Sequence, residues 1–292
     1  MAANVLFCWP DWTQPSATVT PTFTDSGAGL KWIDLGLLQS TVLSEMARCT
    51  SVAVADTKLE GDLGTDRPVR VVAIPTHSAK LGDKARFTLY TDAARTNLVL
   101  DTGWVDFFGV IYPFGSLPWG HESFATGRLS AEVAADYRVA WLYVAGAEVL
   151  GRYWRLEINA SGNTDGFIDI GRLVVARGWT PKYNVSYGVQ FGWRDDSRKS
   201  RSKGGAQFAD KEPRRRMFRM SIDWMTLKEG FGGPLEMQRT LGTTEPFLFV
   251  FDPSDVELAI QRTCMVTASS LGALTLNHHD NTTVPIDLEE VL

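Results

Sequence analysis

Short β-branched and aromatic runs, each closed off by Gly, Pro, Asp or Asn, recur along the whole chain, and they constrain its fold more than any other feature. The runs 69–77 (VRVVAIPTH), 85–92 (ARFTLYTD), 137–146 (YRVAWLYVAG), 153–161 (YWRLEINAS) and 167–179 (FIDIGRLVVARGW) have the composition of pleated, half-buried strands. Within 85–92 the residues alternate, with Arg86, Thr88 and Tyr90 on one face and Phe87, Leu89 and Thr91 on the other. These runs predict an all-β chain whose first 180 or so residues form an antiparallel sandwich. The stretch 37–49 reads as a helical turn or a loop.

After Trp179 the texture changes. In 183–193 (YNVSYGVQFGW) Tyr183, Val185, Tyr187, Val189, Phe191 and Trp193 recur at period two, and in 214–225 (RRRMFRMSIDWM) Phe218, Met220, Ile222 and Trp224 do the same. A polar loop containing Gly204 and Gly205 lies between them, which predicts one long hairpin over 183–225. A short helix follows at about 234–241, with Pro234 suited to its first turn and Gly242 to its stop. The runs 247–253, 259–269 and 273–280 complete a second β-rich unit. With 292 residues, 44% of them apolar, the chain can bury two cores, expected over 1–178 and 179–292.

The net charge of −5 gives no general attraction to polyanions. The exception is local. Residues 192–218 hold nine cations (Arg194, Arg198, Lys199, Arg201, Lys203, Lys211, Arg214, Arg215, Arg216) and four acids (Asp195, Asp196, Asp210, Glu212), a surplus of five against −10 elsewhere. Interleaved acids suit a solvated loop or a protein contact better than a phosphate-tracking groove, so no specific nucleic-acid binding is expected. A basic tip on an acidic body can dock against an identical neighbour. Arg198, Lys199, Arg201 and Lys203, with the flanking Trp193 and Trp224, are therefore the candidate assembly interface.

Cys8, Cys49 and Cys264 have neither disulfide-framework nor zinc-site spacing. The start of the chain is not a convincing signal peptide, and no run reaches the length of a membrane span. His278, His279 and Asp280 are metal-ligand types, yet adjacent strand residues face opposite ways, so a polar turn is expected; His77 and His121 are single histidines. Asp62, Asp101, Asp106, Glu122, Asp165 and Asp169 supply carboxylates without a spacing that selects a catalytic pair, and no nucleophile, phosphate-loop or metalloprotease motif is present. The expectation is a protein that is not an enzyme and uses no cofactor or metal. The aromatic loop 107–124 (FFGVIYPFGSLPWGHESF) could stack on sugar rings, with Tyr112, Trp119 and His121 as its candidate contacts for a glycan or a fibre.

Residues 58–94, 98–104 and 152–179 are similar to the discoidin, or galactose-binding-like, sandwich. There Asp62-Leu63-Gly64 closes one strand ahead of the strand at 69–74; Gly64 can take the positive φ of a tight turn and Asp62 can hydrogen-bond its backbone. Residues 179–292, and the layout of the whole chain, resemble tail proteins of long-tailed bacteriophages that join such a sandwich to a ring-forming domain. The resemblance implies a distal-tail-like structural component of a tail tip or baseplate. Such a protein would be assembled in the host cytoplasm, form a ring with itself, and link the tail tube and other baseplate proteins to a tail fibre or host surface glycan. The alternative is a carbohydrate-binding adsorption protein.

Overall fold

The structure, a computed structural model, describes residues 4–113, 115–128, 130, 140–255 and 258–292. Strands dominate, so the chain is all-β with a few short helical pieces. It divides into two units, Met1–Trp179 with Leu248–Cys264, and Thr180–Phe247 with Met265–Leu292.

The first unit contains β1 (Leu6–Cys8), β2 (Thr22–Asp25), β3 (Trp32–Ile33), β4 (Ala47–Cys49), β5 (Leu59–Ile74), β6 (Lys84–Tyr90), β7 (Leu98–Asp101), β8 (Val105–Asp106), β9 (Trp141–Asn159), β10 (Ile168–Ile170) and β11 (Val174–Ala176). A large antiparallel sheet runs β11-β5-β9-β6-β7, with β2 against β5 and β8 against β6; a small sheet runs β10-β4-β3. Their apolar faces share one core. Leu59, Leu63, Phe87, Trp141 and Trp154 come from the large sheet, and Trp32, Cys49, Ile168 and Ile170 from the small one. This is the expected sandwich, held by side chains that the period-two pattern turns inward. Phe87 and Leu89 are buried as read, while Arg86 reaches outward to Asp101 at 2.9 Å.

Three runs differ from their sequence reading. The runs 137–146 and 153–161 join in the single strand β9, residues 137–139 lying outside the described ones. Asp62-Leu63-Gly64 does not end a strand; β5 continues through it with a shift of register against β9 between Asp62 and Arg67. Gly64 does have positive φ (81°), and its N–H donates to Asp62 Oδ1 at 2.7 Å. The run 167–179 splits between the two sheets as β10 and β11. The split falls at Gly171, where a Cβ would lie 1.9 Å from Thr76 Oγ1, so the chain can cross between sheets only without a side chain.

The second unit is built on β12 (Gln190–Arg194), β13 (Arg198–Arg201), β14 (Gln207–Asp210) and β15 (Arg215–Met225). After these, β16 (Phe247–Val250), whose Leu248, Phe249 and Val250 belong to the first unit, pairs there with β1. β17 (Thr263–Ser270), β18 (Thr275–His278) and β19 (Asn281–Glu290) complete the chain, giving the order β17-β19-β15-β12 with β18 also on β19. Phe218, Met220 and Ile222 of β15 and Val284, Ile286 and Leu288 of β19 form one buried face. Met237 and Leu241 line a crevice against Ile286 and Leu288.

The helical segment is longer than 234–241. It starts at Leu227, where the Thr226 side chain accepts from Glu229 N–H, and ends at Leu241 before Gly242 (φ 56°). Pro234 therefore lies inside it. The turn Phe231–Leu235 is widened to π spacing, which accommodates a residue without an N–H whose ring would collide with the preceding turn.

Candidate assembly surface and aromatic loop

The expected hairpin over 183–225 is two ladders in succession. β12 pairs with β15 from Gln190↔Arg219 to Arg194↔Arg215, and beyond it β13 pairs with β14 from Arg198↔Asp210 to Arg201↔Gln207. Residues 183–189 are not a strand. Every residue of β13 and β14 is exposed, so this basic ribbon packs on nothing in its own unit. Lys199 and Arg201 share one face, Arg198 and Phe208 the other, and Lys203 sits in the turn closed by Ser202 N–H to Ala206 O at 2.9 Å.

The fold sorts the nine cations into two groups. Arg194 pairs with Asp196 and Glu289, both at 2.9 Å, Arg214 with Asp195 at 3.4 Å, Arg215 with Glu289 at 3.3 Å, and Arg216 with Glu290 at 2.5 Å. Hydrogen bonds from the hydroxyl and N–H of Ser197 hold Asp195 below the usual carboxylate range, with Arg214 adding to them. Arg198, Lys199, Arg201, Lys203 and Lys211 have no ion pair among the described residues. The paired arginines flank the ribbon, four of the unpaired cations are on it, and Lys211 is the residue just past its end.

Trp193 stands at the foot of the ribbon. It is 57% exposed and lines an open groove with Asp195, Met217 and Arg219. Trp224 does not share the buried face with Phe218, Met220 and Ile222 as its spacing predicted. A register irregularity between Ile222 and Met225 gives the inward place to Met225, and Trp224 turns out to solvent at 67% exposure. Its φ is +62°, a region bulky side chains rarely occupy. Trp193 lies opposite Arg216 in the ladder, so the two tryptophans are separated by about 26 Å along β15. The structure thus brings Trp193 to the basic ribbon and leaves Trp224 away from it. Sequence reasoning missed the exposed Phe208, Phe231 and Leu276, and no periodic signal distinguishes them from core residues.

In the first unit the aromatic loop forms two ring pairs. Tyr112 and His121 meet with centroids 6.4 Å apart, and Trp119 and Phe124 at 5.0 Å. Trp119 is 89% exposed, and His121 Nδ1 accepts from Ser123 N–H at 3.1 Å. Phe114 lies outside the described residues. His77 packs on Phe107 and Phe108 at 4.5 and 5.6 Å. The 277–281 stretch is the β18–β19 turn, where Asp280 Oδ1 accepts from Leu227 N–H at 2.9 Å. Among the described residues no cluster of metal-ligating groups occurs, and no helix is long and apolar enough to cross a membrane.

Five of the six carboxylates considered for catalysis are tied to cations. Asp62 pairs with Arg152 (2.7 Å), Asp101 with Arg86 (2.5 Å), Asp106 with Arg128 (2.8 Å), Asp165 with Lys80 (2.9 Å) and Asp169 with Arg48 (2.7 Å). Arg152 and Arg86 hold Asp62 and Asp101 below the usual range, the reverse of what a general acid needs.

No protein-family model matches the chain, and no curated protein matches it in sequence. Among solved structures, a family 32 carbohydrate-binding module from Clostridium perfringens in complex with galactose is 15% identical, over 54% of this chain and 92% of its own, with a TM-score of 0.33. A family 29 fucosidase from Ruminococcus gnavus in complex with fucose is 10% identical, over 59% of this chain and 28% of its own, with a TM-score of 0.37. Another carbohydrate-binding module, from a family 31 glycoside hydrolase of C. perfringens, is 8% identical with a TM-score of 0.31. At such values these likenesses carry no argument about function, and the all-β sandwich stands on its own strand order and core.

Proposed function

We propose that the chain is a non-enzymatic structural protein that assembles with further copies of itself, of the kind found in the tail tip or baseplate of long-tailed bacteriophages. The observation that carries the reading is the ribbon Arg198–Asp210: its cations have no ion pair among the described residues, while the arginines flanking it are paired. Ordered, exposed, uncompensated charge on a negatively charged chain favours a protein partner of opposite sign. Self-association through unlike surfaces gives a ring where the rotation between neighbours closes, and such a ring would join the tail tube to the adsorption parts of a virion. Light scattering and electron microscopy of the purified chain, alone and with tail partners, test it; a strict monomer that enters no tail would sink it.

A second reading, of host glycan recognition, is favoured by one observation. Trp119 is almost fully solvated, and Tyr112 pairs with His121 in the same loop. Flat rings held outward suit the apolar faces of pyranoses. A glycan array on the assembled protein tests it, with Trp119→Ala expected to abolish any signal.

A further inference from the structure

The ribbon needs a receiving surface, and the second unit carries a suitable one at the other end of the same strand. Trp224, Leu227, Phe231, Leu276, Tyr183 and Tyr187 are all large, and all are more than 40% exposed. Three backbone donors stitch their segments together. Lys182 N–H donates to Glu229 Oε1 at 2.8 Å, Ser186 N–H to Ser221 O at 2.9 Å, and Leu227 N–H to Asp280 Oδ1 at 2.9 Å. Of these side chains, Tyr187 and Trp224 lie on segments that Ser186 ties together through Ser221 and Asp223, and large exposed rings on neighbouring segments mark a contact site.

Trp224 is held there against its backbone preference. Asp223 accepts from the hydroxyls of Ser186 and Ser221, the latter at 2.8 Å, and this anchors the irregularity that gives Trp224 its φ of +62°. These hydroxyls hold the Asp223 carboxyl below its usual range even though burial pushes it up. Strain at an exposed aromatic side chain is retained where the position has a use.

We infer that this aromatic cluster receives the basic ribbon of a second copy of the chain, an inference that rests on the self-assembly proposed above. The chemistry matches in both directions. Guanidinium and ammonium groups from Arg198, Lys199, Arg201 and Lys203 meet the faces of Trp224 and Tyr187, the Tyr183 ring being already covered by Lys182 of its own chain, whose Nζ lies 5.3 Å from the ring centroid. Phe208, exposed on the ribbon, supplies an apolar contact to the same surface. From Arg215 to Trp224 the two surfaces are about 30 Å apart along β15, so each copy offers one of each kind in a head-to-tail contact.

The test uses the full chain and two variants. Trp224→Gly removes the ring while keeping a residue that accepts positive φ, so the fold is retained. Arg198→Glu with Arg201→Glu reverses the ribbon. Each variant is expected to weaken self-association about thirtyfold, the loss typical of an anchoring Trp. Mixed one to one, the two variants should recover a capped dimer, because one keeps its ribbon and the other its aromatic cluster. A mixture that stays monomeric, or a Trp224→Gly variant that assembles like the wild type, overturns the inference and leaves self-assembly standing. A wild-type chain that never associates overturns both.

Discussion

Replacing Arg216 by Met tests how the basic ribbon is fastened to its sheet. The Arg216 and Glu290 side chains are only 8% and 6% exposed. Glu290 Oε2 accepts from the N–H and the Nε of Arg216, each at 2.9 Å, while Oε1 accepts from Nη2. Met keeps the volume and the backbone donor but strips the charge and both guanidinium bonds, leaving a buried carboxylate with its cation gone. Breaking a buried pair from one side costs about 3–5 kcal/mol. With a urea slope of about 2 kcal/mol per molar, the midpoint of the second unit should fall by about 2 M, followed by tryptophan fluorescence. Removing both charges in Arg216→Met with Glu290→Gln should restore the midpoint to within about 0.5 M, because no charge is left buried and the Gln amide oxygen can still accept from the N–H of residue 216. A double variant as unstable as the single would refute the assignment of the loss to an abandoned charge.

Asp62→Asn should cost about 1 kcal/mol at neutral pH, the scale of a partly exposed pair. Because Arg152 depresses the folded carboxyl below its unfolded value, that stability is present above the unfolded range, is lost as pH falls through the folded value, and the difference from wild type should vanish in melts acid enough to protonate the folded carboxyl. Trp154→Ala, which opens a hole beside Phe87 and Phe23 in the sandwich core, should cost about 3–5 kcal/mol in chemical unfolding. Arg198→Ser with Arg201→Ser should leave unfolding within about 0.5 kcal/mol of wild type while weakening association in sedimentation; unchanged association at physiological salt would refute a contact role for the ribbon.

Strand-forming composition made most of the architecture legible, since Phe87, Leu89, Phe218, Met220 and Ile222 all fall inward at period two. Gly64 and Asp62 were legible for a local reason, because a tight turn needs both a positive φ and a nearby acceptor. What escaped depends on distant partners. β19 alternates cleanly through Thr282, Val284, Ile286 and Leu288, but Pro285 argues against a central strand and hid it. Trp224 continues the inward series of β15 in sequence, and only the irregularity before Met225 turns it to solvent. The site was legible as a charge surplus, yet composition cannot say which cations are paired. That division depends on Glu289 and Glu290, some 75 residues further along.

The geometry of β15 also bears on how the proposed assembly would be built. The ribbon begins where the strand begins, and the aromatic cluster gathers where it finishes. A hydrogen-bonded strand with neighbours on both sides keeps these ends about 30 Å apart, so no chain can fold its ribbon back onto its own cluster. On the proposed reading the basic ribbon of one copy is complementary to the aromatic cluster of the next rather than to itself. An isologous dimer would set ribbon against ribbon and oppose like charges. A heterologous contact avoids this and repeats with a fixed rotation, so the same interface that joins two copies also fixes how many close the circle. Added salt should therefore act mainly on the ribbon, loosening assembly steeply while leaving the buried faces of both units unaffected.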